Sequence, residues 1–271
     1  MGEARNKSVS RKAILAGEPE CIYCGEQATT VEHMPPVAMF KGKHRLSGFE
    51  FASCLQCNHS SRASDAAASF FARISPSNLG PKWEVDEAYR LIGTISQLAP
   101  KAIKEIFDPA KTKEVWTKGR DPLLSKMHVL DLDGKVTHSL MQAFGAKLGM
   151  GLFYKYCGQR MQTGGAIFSK TYFNSGLTRG EAEAVLSILP SFGELTQGRQ
   201  RSGRQFNYRY NTDEKGALGA LVAFHDNLFF RIFAFQEPDG FRDAVLDPDT
   251  KETRFGGLQL LAREWDEPQP T

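Results

Sequence analysis

Two Cys-x-x-Cys pairs, Cys21-Ile22-Tyr23-Cys24 and Cys54-Leu55-Gln56-Cys57, constrain this chain more than any other feature. A turn of that spacing aims two thiolates at one point, and two such turns supply the four soft ligands that tetrahedral zinc favours. Four protein ligands leave no coordination position for water, so a metal held there is structural. Gly25, directly after the first pair, suits the sharp reversal of a knuckle. The opening stretch MGEARNKSVSRKAILAGEPE has no apolar signal core, so paired thiols read as a metal site before they read as disulfides. A redox pair wants one CxxC in a βαβ setting, which the flanking residues do not offer. The fifth cysteine, Cys157, stands alone and reads as a buried helical residue.

Of the 271 residues, 41% are hydrophobic and 24% charged, the balance of a globular protein, and no apolar run approaches the ~20 residues of a membrane span. A cytoplasmic location without membrane contact is therefore expected. The net charge of +3 permits nucleic-acid binding without arguing for it. Residues 1–18 read as a flexible lead-in. Residues 19–78 hold both cysteine pairs and end in a run of breakers, Ser75-Pro76-Ser77-Asn78-Leu79-Gly80-Pro81. Residues 79–271 form a second, larger α+β domain. There Val85–Leu98, Ala102–Phe107 and Arg179–Leu189 read as helices, and Leu140–Tyr156 carries apolar residues at four-residue steps. Gln205–Tyr210, Ala217–Phe224 and Leu228–Phe235 read as strands, the last two joined by a tight turn at His225-Asp226-Asn227. The expected architecture is a helical layer against an antiparallel sheet.

With the metal inert, chemistry is sought in the 29 residues between the pairs and just beyond them. Thr29-Thr30-Val31 reads as a short strand leading into Glu32-His33, which Pro35-Pro36 terminates. After the second pair, Asn58 opens an alanine-rich stretch that reads as a helix. An imidazole accepts a proton near neutral pH, and oxygen ligands suit a hard cation. Arg62 and Asp65 follow Asn58 at helical spacing, and Lys41, Lys43, His44 and Arg45 make the intervening loop basic.

This order of elements, CxxC, then an acid-histidine pair ending a strand, then CxxC-Asn opening a helix, resembles the HNH, or ββα-metal, endonuclease superfamily in its zinc-stapled form. The resemblance covers residues 19–72. It implies a small zinc-stapled ββα-metal nuclease module, with His33 as the base that activates water. It further implies Glu32 and Asn58 as ligands of a catalytic Mg2+ or Mn2+ that would clamp the phosphodiester. Glu32 stands where the family usually has Asp, and no Asn lies between Met34 and Ser53 to match the family's middle one. Arg62, Lys41, Lys43 and Arg45 are the candidate phosphate contacts.

The implied activity is metal-dependent hydrolysis of DNA. A restriction or phage-defence setting is the expectation for such modules with an added domain, with a protein partner in a defence complex. A homodimer would let two single-strand cuts break a duplex. Two other readings fit the same cysteine frame: a non-catalytic zinc-knuckle nucleic-acid binder, and a zinc-stabilised protein-interaction module. The basic loop Gly198–Arg204, interleaved downstream with Tyr208 and Tyr210, is a second candidate nucleic-acid contact. His128, His138 and His225 are isolated and read as structural.

Overall fold

The computed structural model describes residues 11–74, 82–118, 124–130, 132–173 and 176–261. The breaker run at 75–81 and the first ten residues of the lead-in lie outside them. Residues 11–17 are helical.

Helix and antiparallel sheet make up the fold. The region between the cysteine pairs forms a two-stranded hairpin, β1 (Thr30–His33) and β2 (Glu50–Ser53), in the register Thr30↔Ser53 to His33↔Glu50. Two helices follow at once, α1 (Leu55–Ser60) and α2 (Arg62–Arg73). They are separated at Ser61, whose side chain bonds back to the Asn58 carbonyl. The ββα order is therefore present in the backbone, with the helical segment starting at Leu55 rather than Asn58. Cys54 takes the N-cap position, accepting the Cys57 N–H at 3.3 Å.

The remainder brings α3 (Lys82–Leu98), α4 (Pro100–Ile106), a hairpin of β3 (Lys113–Lys118) and β4 (Leu124–Val129), and the long helix α5 (Lys135–Cys157). Next come β5 (Ala166–Phe173), α6 (Arg179–Ser187), β6 (Ser191–Glu194), β7 (Thr196–Gln197) and β8 (Gln200–Arg201). The chain continues with β9 (Asn207–Thr212), β10 (Ala217–Phe224), β11 (Leu228–Phe235), α7 (Arg242–Val245) and β12 (Lys251–Arg254). An open antiparallel six-stranded sheet runs β12-β5-β11-β10-β9-β6. The turn between β10 and β11 falls at 225–227, with His225 and Asp226 at positive φ. Asn227 then donates to the Ala72 and Ile74 carbonyls at 3.1 Å, capping the end of α2.

Helix α5 is the spine. Its first turn is capped by Glu105, which accepts from the Val136 and Thr137 N–H groups at 3.1 and 2.8 Å. Its glycines let neighbours approach from more than one side. A Cβ at Gly149 would stand 2.7 Å from Ile167 of the sheet, and one at Gly151 would stand 2.9 Å from Phe51 of the hairpin. The spine thus lies between the sheet and the cysteine-flanked hairpin, which is why apolar residues cover most of its circumference. Among the described residues the larger of two apolar clusters runs from Tyr23 and Phe51 through Phe71 and Leu148 to Phe230 and Leu258. Among the described residues no helix is long and apolar enough to cross a membrane.

Candidate functional site

The four cysteines converge. Their Sγ atoms lie within 4.8 Å of one another, with Cys24 and Cys54 Sγ 3.7 Å apart. Zinc–sulfur bonds of ~2.3 Å in a tetrahedron require sulfurs ~3.8 Å apart, so the donor set fits zinc in chemistry and size. Local structure explains the convergence. Gly25 adopts φ +81° and returns its N–H to the Cys21 carbonyl, closing the first knuckle. The Ile22 N–H bonds the Ala52 carbonyl and fixes that knuckle beside β2. From the C-terminal end of the described chain, Gln259 donates to Cys57 Sγ at 3.3 Å.

Four thiols this close compete for charge. Hydrogen bonds from Cys24 and Cys57 lower the pKa of the Cys21 thiol. The same contacts with Cys21 raise the pKa of Cys24 and of Cys57. A divalent cation at their centre removes that competition by letting all four ionise.

The residues between the pairs separate into two groups. Alternation along β1 puts Thr30 and Glu32 on one face and Val31 and His33 on the other. Asn58 reaches the first face, where its Nδ2 donates to Thr30 Oγ1 at 3.2 Å. Thr30 is three residues from His33, ~10 Å along a strand. Glu32 is buried, and its Oε1 accepts from Lys147 Nζ of α5 at 3.0 Å. The same ammonium donates to Asp65 Oδ2 at 2.7 Å and Ser61 Oγ at 2.8 Å.

The family's divalent cation therefore does not fit at Glu32. Glu32 and Asp65 already share a cation, and Asn58 turns its amide nitrogen to Thr30. Strand alternation sends Glu32 and His33 to opposite faces of β1, and Asn58 bonds Thr30 on the Glu32 face.

His33 stands on the exposed face with its side chain 52% accessible. Its Nδ1 lies 3.6 Å from Glu50 Oε1, the residue directly across the hairpin. Glu50 is held firmly. Arg45 Nη1 donates to it at 2.8 Å, and the Gly48 N–H reaches both oxygens at 3.1 and 2.9 Å. Burial opposes ionisation of Glu50, but His33, Arg45 and Gly48 outweigh it and bring the carboxyl down to about 2.

Arg45 is an internal clasp rather than a phosphate contact. Its side chain is 4% exposed, and its guanidinium donates to the carbonyls of Met34, Pro35, Leu46, Gly48 and Phe49. A loop of this length must satisfy its buried carbonyls, and one five-donor side chain does so. Lys41 is exposed but bonded to Glu84 at 2.6 Å. Lys43, His44 and Arg62 are exposed and have no carboxylate partner among the described residues.

The second candidate contact is also altered. Tyr208 is buried and bonded to the Tyr156 hydroxyl at 2.6 Å, while Arg201 and Arg204 pair with Glu194 and Asp226. Cys157 closes α5 half-buried, 3.8 Å from Thr212 Oγ1. His138 faces Asp133, and His225 bonds the Met39 carbonyl at 2.7 Å. Of His128 only the backbone, in β4, is described.

Sequence reasoning missed Glu50 and Lys147. Glu50 becomes visible only once the hairpin register is known. Lys147 left a signal: a lone lysine in the apolar run Phe144–Phe153 must find a partner inside. Compared with family models, curated proteins and solved structures, the chain matches none.

Proposed function

We propose that this protein hydrolyses nucleic-acid phosphodiester bonds, with DNA as the first substrate to test and His33 as the general base. The observation that carries the reading is the His33–Glu50 pair on the exposed face of a cysteine-stapled ββα hairpin. Glu50 faces Nδ1, which favours the tautomer with its proton there and leaves Nε2 to accept a proton from water. The carboxylate then stabilises the imidazolium that forms, as a positioning residue. Lys43 and Arg62 are the cations available to hold phosphate. Supercoiled-plasmid cleavage by zinc-loaded protein tests this, with Mg2+, with Mn2+ and with neither. General bases contribute ~10^2–10^4-fold, so His33→Ala should lose at least about a hundredfold, and Glu50→Gln should lower kcat more than it changes KM. Wild-type protein that cuts neither DNA nor RNA under any of these conditions refutes the assignment.

A second reading has its own observation. With Glu32 neutralised by Lys147, the module holds nucleic acid through its zinc frame and basic loop without cutting it. Binding that falls with salt, without cleavage, would select this reading. Neither binding nor cleavage would leave the cysteine frame as the fold of a protein-interaction module. A restriction or phage-defence role, a protein partner and a homodimer remain extensions of the nuclease reading, tested by co-purification and by mass in solution.

A further inference from the structure

Lys147 sits in the middle of α5 and is 0% exposed. A buried ammonium costs several kcal/mol unless its surroundings replace water. Here the replacement is complete. Three N–H groups meet three oxygens, from Glu32, Asp65 and Ser61, at 3.0, 2.7 and 2.8 Å. Two carboxylates and a hydroxyl are the donor chemistry of a hard-cation site. Further oxygen lies at the same place. Asp65 Oδ1, the second oxygen of that carboxylate, has no hydrogen-bond partner among the described residues. The three distances to Nζ are those of an ammonium, longer than the ~2.0–2.1 Å of Mg2+ or ~2.3–2.6 Å of Ca2+.

We infer that Lys147 is the resident cation of this oxygen pocket, so that Glu32, the residue the HNH resemblance gives to a divalent metal, instead docks the zinc module onto the central helix. Each partner comes from a different element: β1 supplies Glu32, α2 supplies Asp65, Ser61 lies between α1 and α2, and α5 supplies the charge. The pocket thus joins the cysteine-stapled hairpin to the layer that carries the sheet. Burial alone would lower the pKa of Lys147, but Asp65 and Glu32 outweigh it and keep the ammonium charged.

Mn2+ binding to the zinc-loaded full chain, followed by electron paramagnetic resonance, tests the inference without reading cleavage. Its failure is thereby distinct from failure of the nuclease reading. Wild type and the near-isosteric Glu32→Gln should give isotherms that agree within about twofold. A weakening of about tenfold or more in Glu32→Gln means that Glu32 does hold a divalent ion, and overturns the assignment. Lys147→Met supplies a second readout. It leaves two carboxylates unneutralised, so its folded form should become Mn2+-dependent, with a Tm raised by Mn2+ where wild type is not. A folded Lys147→Met whose Tm ignores Mn2+ also overturns the assignment. If Lys147→Met does not fold, the Glu32→Gln isotherm decides alone.

Discussion

Glu50→Gln separates charge from shape at the histidine site. The variant keeps a side chain that fits between Arg45 and the Gly48 N–H, but loses the negative charge facing a guanidinium that is almost fully buried. The Glu50 carboxyl falls from 4.5 to about 2 in the folded protein. At ~1.4 kcal/mol per unit, that shift corresponds to at most about 3.4 kcal/mol. Glu50 is partly open to solvent, which screens it, so about 1–2 kcal/mol is expected at pH 7. Because the folded value is depressed, this stability is fully present above 4.5 and is lost as pH falls through the folded value, toward about 2. Urea unfolding of wild type and Glu50→Gln should therefore show a gap near its full size at pH 7 that narrows steadily below 4.5. A gap equally wide at pH 7 and at the acid end would refute the charge argument. So would no gap at pH 7.

Four further outcomes follow from the packing and the capping. Gly149→Ala should destabilise: its Cβ meets Ile167 at 2.7 Å and Ile232 at 3.1 Å, and overpacking of ~1–3 kcal/mol outweighs the ~1 kcal/mol gain in helix propensity. Gly93→Ala in α3, where nothing lies within 4 Å, should stabilise by ~0.5–1 kcal/mol; thermal unfolding of the pair checks both signs. Cys57→Ser should lower zinc content measured by metal analysis and lower Tm, since Cys57 is fully buried and bonded by Gln259. Glu105→Ala should cost ~1–2 kcal/mol in chemical denaturation, because it uncaps the N–H groups that open α5.

What the sequence disclosed depended on whether the information was local. Cys21, Cys24, Cys54 and Cys57 could be read because CxxC geometry is set within four residues, and the four sulfurs do converge. The strands at 217–224 and 228–235 were legible from aromatic and aliphatic runs flanking a three-residue turn. The helices at 82–98, 135–157 and 179–187 showed through their periodicity or their stops. By contrast, β5 pairs with β11 and β12 across long separations, and no local pattern announced it as an inner strand of the sheet. Arg45 looked like a phosphate contact because it follows Lys41 and Lys43. Only the folded loop shows five carbonyls waiting for its donors.

Glu32 and His33 show why adjacency in sequence was a poor guide to shared chemistry. On a strand, neighbours point to opposite faces, so any function needing both must bend the strand or divide the work. In this protein the work is divided. Glu32 points inward, where a carboxylate is tolerable only beside a counter-charge, and Lys147 is that charge. His33 points outward, where it meets the next carboxylate across the hairpin. Both partners were invisible to a motif reading because neither is local: one lies 115 residues away on α5, and the other is fixed by cross-strand register. The cysteines connect the two faces. They hold β1, β2 and α1 in one frame, so loosening that frame should be felt both at Glu32 inside and at His33 outside. That makes zinc removal the perturbation expected to disturb both pairs together, whereas Glu32→Gln and Glu50→Gln should each disturb one.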